Sequence, residues 1–90
     1  MLFALICDDG PGGLDIRKAN RAAHLDYLKE TGVVTQAGPL LDDAGGMVGS
    51  LIVLDVPDRA AAEAWAAADP YARAGLFSAV AIRPWNRVIG

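Results

Sequence analysis

The apolar positions of this chain fall into four short runs separated by two helical stretches, and their order dictates the fold class. Leu2 to Cys7 reads as a first strand, closed by the turn material Asp8-Asp9-Gly10-Pro11-Gly12-Gly13. Leu14 to Glu30 contains no Gly or Pro and reads as a helix that stops at Gly32. Val33 to Leu40 is a second strand whose Gly38-Pro39 predicts an edge position or a bend. Asp42-Asp43-Ala44-Gly45-Gly46 closes a hairpin onto a third, strongly apolar strand, Met47 to Val56. Asp58 is the expected N-cap of an Ala-rich helix, Arg59 to Ala68. Asp69-Pro70 interrupts that helix, because a residue preceding proline is pushed out of the helical region. One short helical turn follows, Pro70 to Ala74, then Gly75, a last strand from Phe77 to Arg83, and a tail from Pro84 to Gly90.

This β-α-β-β-α-β order predicts an α+β, ferredoxin-like fold with a four-stranded antiparallel sheet in one domain, residues 1–90. Two helices cover one face of such a sheet. Yet the third strand is apolar on both faces, with Val48, Ile52, Leu54 and Val56 opposite Met47, Leu51 and Val53. The first strand repeats this, with Phe3 and Leu5 opposite Leu2, Ala4 and Ile6. A half-solvated sheet alternates apolar and polar residues instead. The second face is therefore expected to bury itself against a copy of the same chain, with higher assembly left open.

Composition strengthens that expectation. The chain is 53% hydrophobic, and a domain of 90 residues buries only roughly 60% of its unfolded surface on its own. A net charge of −3 with mixed signs offers no basic patch for nucleic acid. No apolar stretch reaches the ~20 residues needed to span a membrane, and the start lacks a basic leader and a cleavage site, so a cytoplasmic protein is expected. One cysteine, Cys7, within an apolar run reads as a buried small hydrophobe. One His and one Cys make a zinc site within one chain improbable, so no metal is expected.

Placing the first helix on a wheel of about 100° per residue puts Asp15, Lys18, Asp26 and Lys29 in one solvent-facing stripe. The opposite side carries Asn20, His24, Tyr27 and Thr31, so the only histidine points toward the sheet or a cleft at its margin. An imidazole titrates near neutral pH, which suits it to general acid–base work. A core histidine bonded to a backbone carbonyl is the bland alternative. Clustered polar neighbours (Asn20, Arg17 and Arg21) favour a pocket, since polar groups inside a core cost free energy unless paired.

Other candidates carry equally plain alternatives. Asp69 in Asp69-Pro70-Tyr71 suits a helix N-cap, with Pro in the first helical position. As a site residue it would accept a hydrogen bond from His24 and leave the second ring nitrogen free. Spacing alone does not decide whether the two meet. Ser50 lacks a nucleophile elbow and reads as a ligand-orienting or backbone-bonded hydroxyl. Gly10-Pro11-Gly12-Gly13 has neither the Walker nor the dinucleotide spacing and reads as a turn. Trp65 and Trp85 read as packing residues, and Arg83 as a pocket or salt-bridge residue.

Taken together, Arg21-Ala22-Ala23-His24-Leu25-Asp26-Tyr27-Leu28, Ala37-Gly38-Pro39-Leu40, Gly49-Ser50, Ala68-Asp69-Pro70-Tyr71, Ala74-Gly75-Leu76 and Arg83-Pro84-Trp85 resemble, in order, the motifs of YciI-like (YCII-related) proteins. That family is similar to the dimeric α+β barrel group, in which two ferredoxin-like subunits pack sheet to sheet. The resemblance implies a pocket with a histidine and an aspartate, here His24 and Asp69, lined in addition by Ser50 and Tyr71. Some relatives are associated with lyase or dehydrochlorinase chemistry on small hydroxylated aromatic compounds.

Two functions follow as expectations. The first is a small cofactor-independent enzyme in which His24, oriented by Asp69, moves a proton in an elimination or isomerisation. Its substrate would be a small organic molecule, aromatic or anionic, with Arg17, Arg21 or Arg83 favouring the anion. The second is a ligand-binding or accessory dimer in which the His24–Asp69 bond is structural.

Overall fold

The computed structural model describes residues 1–90. Seven elements follow in order: β1 (Leu2–Asp9), α1 (Gly13–Thr31), β2 (Val34–Leu41), β3 (Met47–Asp55), α2 (Arg59–Ala68), α3 (Pro70–Arg73) and β4 (Phe77–Trp85). The four strands form one antiparallel sheet in the order β2-β3-β1-β4. This is the ferredoxin-like arrangement that the order of apolar runs and helical stretches predicts.

Period-2 alternation sorts the strands into two faces. Phe3, Leu5 and Cys7 of β1 lie beside Leu54, Ile52 and Ser50 of β3. These apolar side chains pack with Ala62 and Trp65 of α2, with Tyr27 and Leu28 of α1 against them. On the other face Ile6 stands directly opposite Leu51, and each is 40% exposed. Trp85, expected as a packing residue, lies opposite Leu2 on this uncovered face and is also partly exposed. Trp65 is buried and donates its indole N–H to Thr31 Oγ1 at 3.0 Å.

Several ends differ from the pattern-based limits. β1 runs two residues past Cys7 because Asp8 and Asp9 continue the ladder to β4, although their polarity ends the apolar run. β4 continues past Arg83 through Pro84 to Trp85, which an edge strand permits because a proline need not donate inward. β2 is the other edge strand, and it holds Pro39 within its length. Two register shifts interrupt its pairing with β3.

Helix limits follow local chemistry. α1 lies between Gly12 and Gly32, both left-handed, with φ values of 72° and 68°. Asp58 caps α2 by accepting from the Ala61 N–H at 2.9 Å. Asp69 ends α2 in an extended conformation and starts α3, with Pro70 in its first turn. That junction places Asp69 and Tyr71 beneath the middle of α1.

Candidate active site

A cavity of about 390 Å³ opens between α1, the edge strand β2 and the near end of β3. Its size suits a small organic molecule. From α1 it receives Arg17, Lys18, Arg21 and His24, with Leu25 and Leu28 beyond them. These residues recur at three- and four-residue steps and so share one face of the helix. Ala37, Gly38 and Pro39 form the β2 wall, Met47 and Ser50 come from β3, and Tyr71 comes from α3.

His24 and Asp69 meet. The imidazole Nδ1 lies 2.7 Å from Asp69 Oδ1, and both side chains are nearly fully buried. The same Oδ1 accepts the Tyr71 backbone N–H at 3.0 Å, which is the N-cap contact of α3. A carboxylate at Nδ1 accepts a hydrogen bond from the ring N–H there and leaves Nε2 with a lone pair. Nε2 has no hydrogen-bond partner in the chain, and His24 lines the cavity. The Tyr71 ring stacks on the imidazole with centroids 3.8 Å apart and planes 10° from parallel, so the histidine is held edge-on as well as face-on.

A second buried pair stands beside the first. Arg17 donates through Nε to Asp9 Oδ2 at 2.6 Å and through Nη2 to Asp9 Oδ1 at 3.0 Å. The same Nη2 meets the Gly49 carbonyl oxygen and the Ser50 hydroxyl, the latter at 2.8 Å. Arg17 is 4% exposed. Its guanidinium carbon lies 5.1 Å from the centre of the Tyr71 ring, so Tyr71 contacts both buried pairs. Burial works against the Arg17 charge, but the Asp9 bonds and charge outweigh it and hold its pKa above the ordinary value. Burial pushes the Tyr71 phenol up, with the Arg17 charge opposing, so the phenol stays a neutral donor.

Cys7, on the neighbouring strand, is buried, and its thiol is pushed up to about 12, first by burial and then by the Asp69 charge. It is a neutral packing group here, not a nucleophile. No set of three or more His, Cys, Asp or Glu side chains is placed to hold a metal ion.

The structure therefore gathers His24, Asp69, Ser50, Tyr71 and Arg21 at one place, with Asp69 behind the imidazole and the other four on the cavity wall. It moves two other residues from their expected places. Asn20 turns back to the Ile16 carbonyl of its own helix at 3.0 Å and is absent from the cavity wall. Arg83 is exposed on β4, away from the cavity and in no ion pair. Lys18 is solvent-exposed as its stripe predicts, yet it also borders the cavity mouth. Asp9 was expected in a turn, and its partnership with Arg17 is the feature that sequence reading missed. The available signal was that Arg17 lies one helical turn before Arg21 and two before His24.

The family model of the YCII-related domain matches residues 1–86. The chain belongs to the YCII-related family. It is 34% identical to the protein YciI of Escherichia coli, across 98% of this chain and 99% of that one. It is 33% identical to an uncharacterised protein of Haemophilus influenzae over the same shares. Among solved structures, it is similar to the 5-chloro-2-hydroxyhydroquinone dehydrochlorinase of Burkholderia phenoliruptrix, in complex with 2,5-dihydroxybenzoquinone. The identity is 33% and the TM-score 0.86, covering 96% of this chain and 94% of that one. An antibiotic biosynthesis monooxygenase shares the fold at 16% identity and a TM-score of 0.61.

Proposed function

We propose that this YCII-related protein is a small enzyme in which His24 acts as the general base or acid of an elimination or isomerisation. The observation that carries the reading is the 2.7 Å contact of Asp69 with Nδ1, which directs the unpartnered Nε2 toward a cavity of small-molecule size. In the elimination form, Nε2 takes a proton from the substrate. The released electron pair forms a π bond, and the leaving group departs with its own bonding pair. Asp69 stabilises the imidazolium formed, and that imidazolium returns its proton to product or solvent. No cofactor enters this scheme. Similarity to a dehydrochlorinase supports elimination, since loss of chloride is a step of this kind.

A screen of small hydroxylated aromatic compounds and small organic acids by thermal shift, followed by turnover assays on the hits, tests this reading. The wild type should turn over at least one compound, and His24→Asn should lose that activity while keeping its fold. A His24→Asn protein with full activity would falsify the role.

A second reading has its own observation. Asp69 Oδ1 also caps α3, so the His24–Asp69 bond ties α1 to the α2–α3 junction whether or not a proton moves. In that case His24→Ala lowers stability markedly and removes no activity.

The assembly proposed for either function is a homodimer, with the sheets packed face to face. Ile6 and Leu51 support this, as large apolar side chains left 40% exposed at the centre of an uncovered sheet. The partners proposed are therefore a second copy of the chain and a small-molecule ligand. No helix is long and apolar enough to cross a membrane.

A further inference from the structure

Three cations stand on the cavity wall, Arg17, Lys18 and Arg21, and no carboxylate joins them there. The chain as a whole carries a net charge of −3, so the cavity reverses the sign of its surroundings. Lys18 and Arg21 are exposed and form no ion pair. Arg17 differs from both in being 4% exposed and locked. Asp9 takes Nε and one hydrogen of Nη2, and Gly49 and Ser50 share the remainder of Nη2. Beyond these bonds the guanidinium meets only the Tyr71 phenol, which stands on the same cavity wall, and none of the bonds to Asp9, Gly49 or Ser50 uses Nη1. A nearly buried guanidinium whose Nη1 hydrogens meet at most a neutral phenol at the cavity wall keeps donor capacity for an acceptor that comes from outside the chain.

Ser50 reinforces this. Its oxygen accepts from Arg17 at 2.8 Å, and its own hydroxyl hydrogen has no acceptor in the chain. The side chain is 3% exposed and borders the same cavity. The guanidinium of Arg17 and the Ser50 hydroxyl thus flank one region of the wall. Asp9 holds Arg17 from behind, and Arg17 Nη2 holds the Ser50 oxygen.

We infer that Arg17 and Ser50 form a binding subsite for a negatively charged oxygen on a small molecule, a phenolate, enolate or carboxylate oxygen, at the end of the cavity served by β3. The subsite deepens the acid–base reading of His24 and rests on it only in placing both functions in one cavity. It assigns the substrate's charge and its anchoring atom. Lys18 and Arg21 at the mouth attract anions without fixing their position, since exposed charges are screened by salt. Ser50 and Arg17 supply the directed hydrogen bonds.

Calorimetric titration of the full chain with paired probes tests the subsite. The carboxylate arm uses benzoate against benzamide. The phenolate arm uses 4-nitrophenolate, at a pH where the phenol is ionised, against 4-nitroanisole. At least one anion should bind about tenfold or more tightly than its neutral counterpart, given the strength of charge-assisted hydrogen bonds. The arm that responds identifies the kind of oxygen. Ser50→Ala and Arg17→Lys should each weaken the anion about tenfold and leave the neutral probe unchanged. Lys18→Gln and Arg21→Gln should cost only a few-fold, a loss that vanishes in high salt. Should Arg17→Lys fail to fold, Ser50→Ala carries the comparison alone.

The subsite is overturned by equal binding of anion and neutral probe, by no binding of either anion, or by an affinity loss confined to the Lys18 and Arg21 variants. His24→Asn separates the two readings. Full turnover in that variant, with the anion preference intact, sinks the acid–base role and leaves the subsite standing. Lost turnover in His24→Asn, with no anion preference in the wild type, does the reverse.

Discussion

His24 and Asp69 are 45 residues apart in the chain and 2.7 Å apart in space, and the aspartate oxygen that meets the imidazole also caps α3. The two duties can be separated by substitution. Asn retains an oxygen for the cap and for Nδ1–H but loses the charge that stabilises an imidazolium. Asp69→Asn should therefore cost about 1 kcal/mol or less in urea unfolding, while catalysis of any compound that the wild type turns over falls at least about tenfold. Asp69→Ala removes the cap and strands a buried imidazole N–H, for a total of about 2–4 kcal/mol. Nitrogen chemical shifts of the ring should report the Nδ1–H tautomer in the wild type. A predominant Nε2–H tautomer would contradict the assigned proton.

Gly49 is dictated by a close approach of two strands. A Cβ there would overlap the carbonyl oxygen of Cys7 and press on Leu40. The Gly49 carbonyl also accepts from Arg17, so displacement of this strand disturbs the guanidinium. Gly49→Ala should destabilise the fold by about 1–3 kcal/mol, the usual range for overpacking. It should also weaken the benzoate or 4-nitrophenolate affinity. Chemical denaturation and calorimetry on the same preparation check both, and an unaltered midpoint would show that the strands can separate at no cost.

Cys7 makes stability depend on alkaline pH. Its thiol has an ordinary value near 9 and is pushed to about 12 in the folded chain by burial and the Asp69 charge. The native state therefore holds this proton when the unfolded state has released it. Stability from this group is complete below about pH 9 and is lost as pH rises toward 12, with a slope approaching 1.4 kcal/mol per unit. The raised Tyr27 and Tyr71 phenols act in the same direction. Unfolding free energy measured from neutral to alkaline pH should fall less steeply in Cys7→Ala than in the wild type. Parallel curves would mean that the thiol is not what titrates.

The uncovered sheet face predicts its own assembly. Ile6 and Leu51 face each other across β1 and β3, so a lysine at either position places a charge at the centre of the proposed interface. Sedimentation velocity should find a dimer for the wild type and a folded monomer for Leu51→Lys. A stable wild-type monomer at micromolar concentration removes the sheet-to-sheet dimer.

How much of this was legible in the sequence depended on whether a feature was periodic or paired. The continuous apolar runs Leu2–Cys7 and Met47–Val56 marked strands of the sheet, and the glycine and proline positions placed its turns, because these signals are local. The inward side of α1 was also readable, and it put His24 at a margin of the sheet. Its pairing with Asp69 was not, because no local pattern brings two residues 45 apart into contact; the family resemblance supplied that partner. Asp9 shows the limit most plainly. A polar residue after an apolar run resembles the start of a turn, and only the β4 ladder and the Arg17 fork reveal that β1 continues. Lys18 shows a milder version, since an amphipathic wheel has no category for a residue at the lip of a cavity.

One wall of the cavity belongs to an edge strand, and that has a consequence for how such a protein diversifies. Arg17 and His24 are mounted on α1, Ser50 on β3 and Asp69 at the α2–α3 junction, all four buried in the packed interior. Ala37, Gly38 and Pro39 have a sheet neighbour on one side only and lead into an exposed hairpin. Lengthening or reshaping that hairpin alters the room available to a ligand without disturbing Arg17, His24 or Asp69. The room in the cavity and the proposed proton-moving groups are thereby carried by parts of the molecule that can change independently.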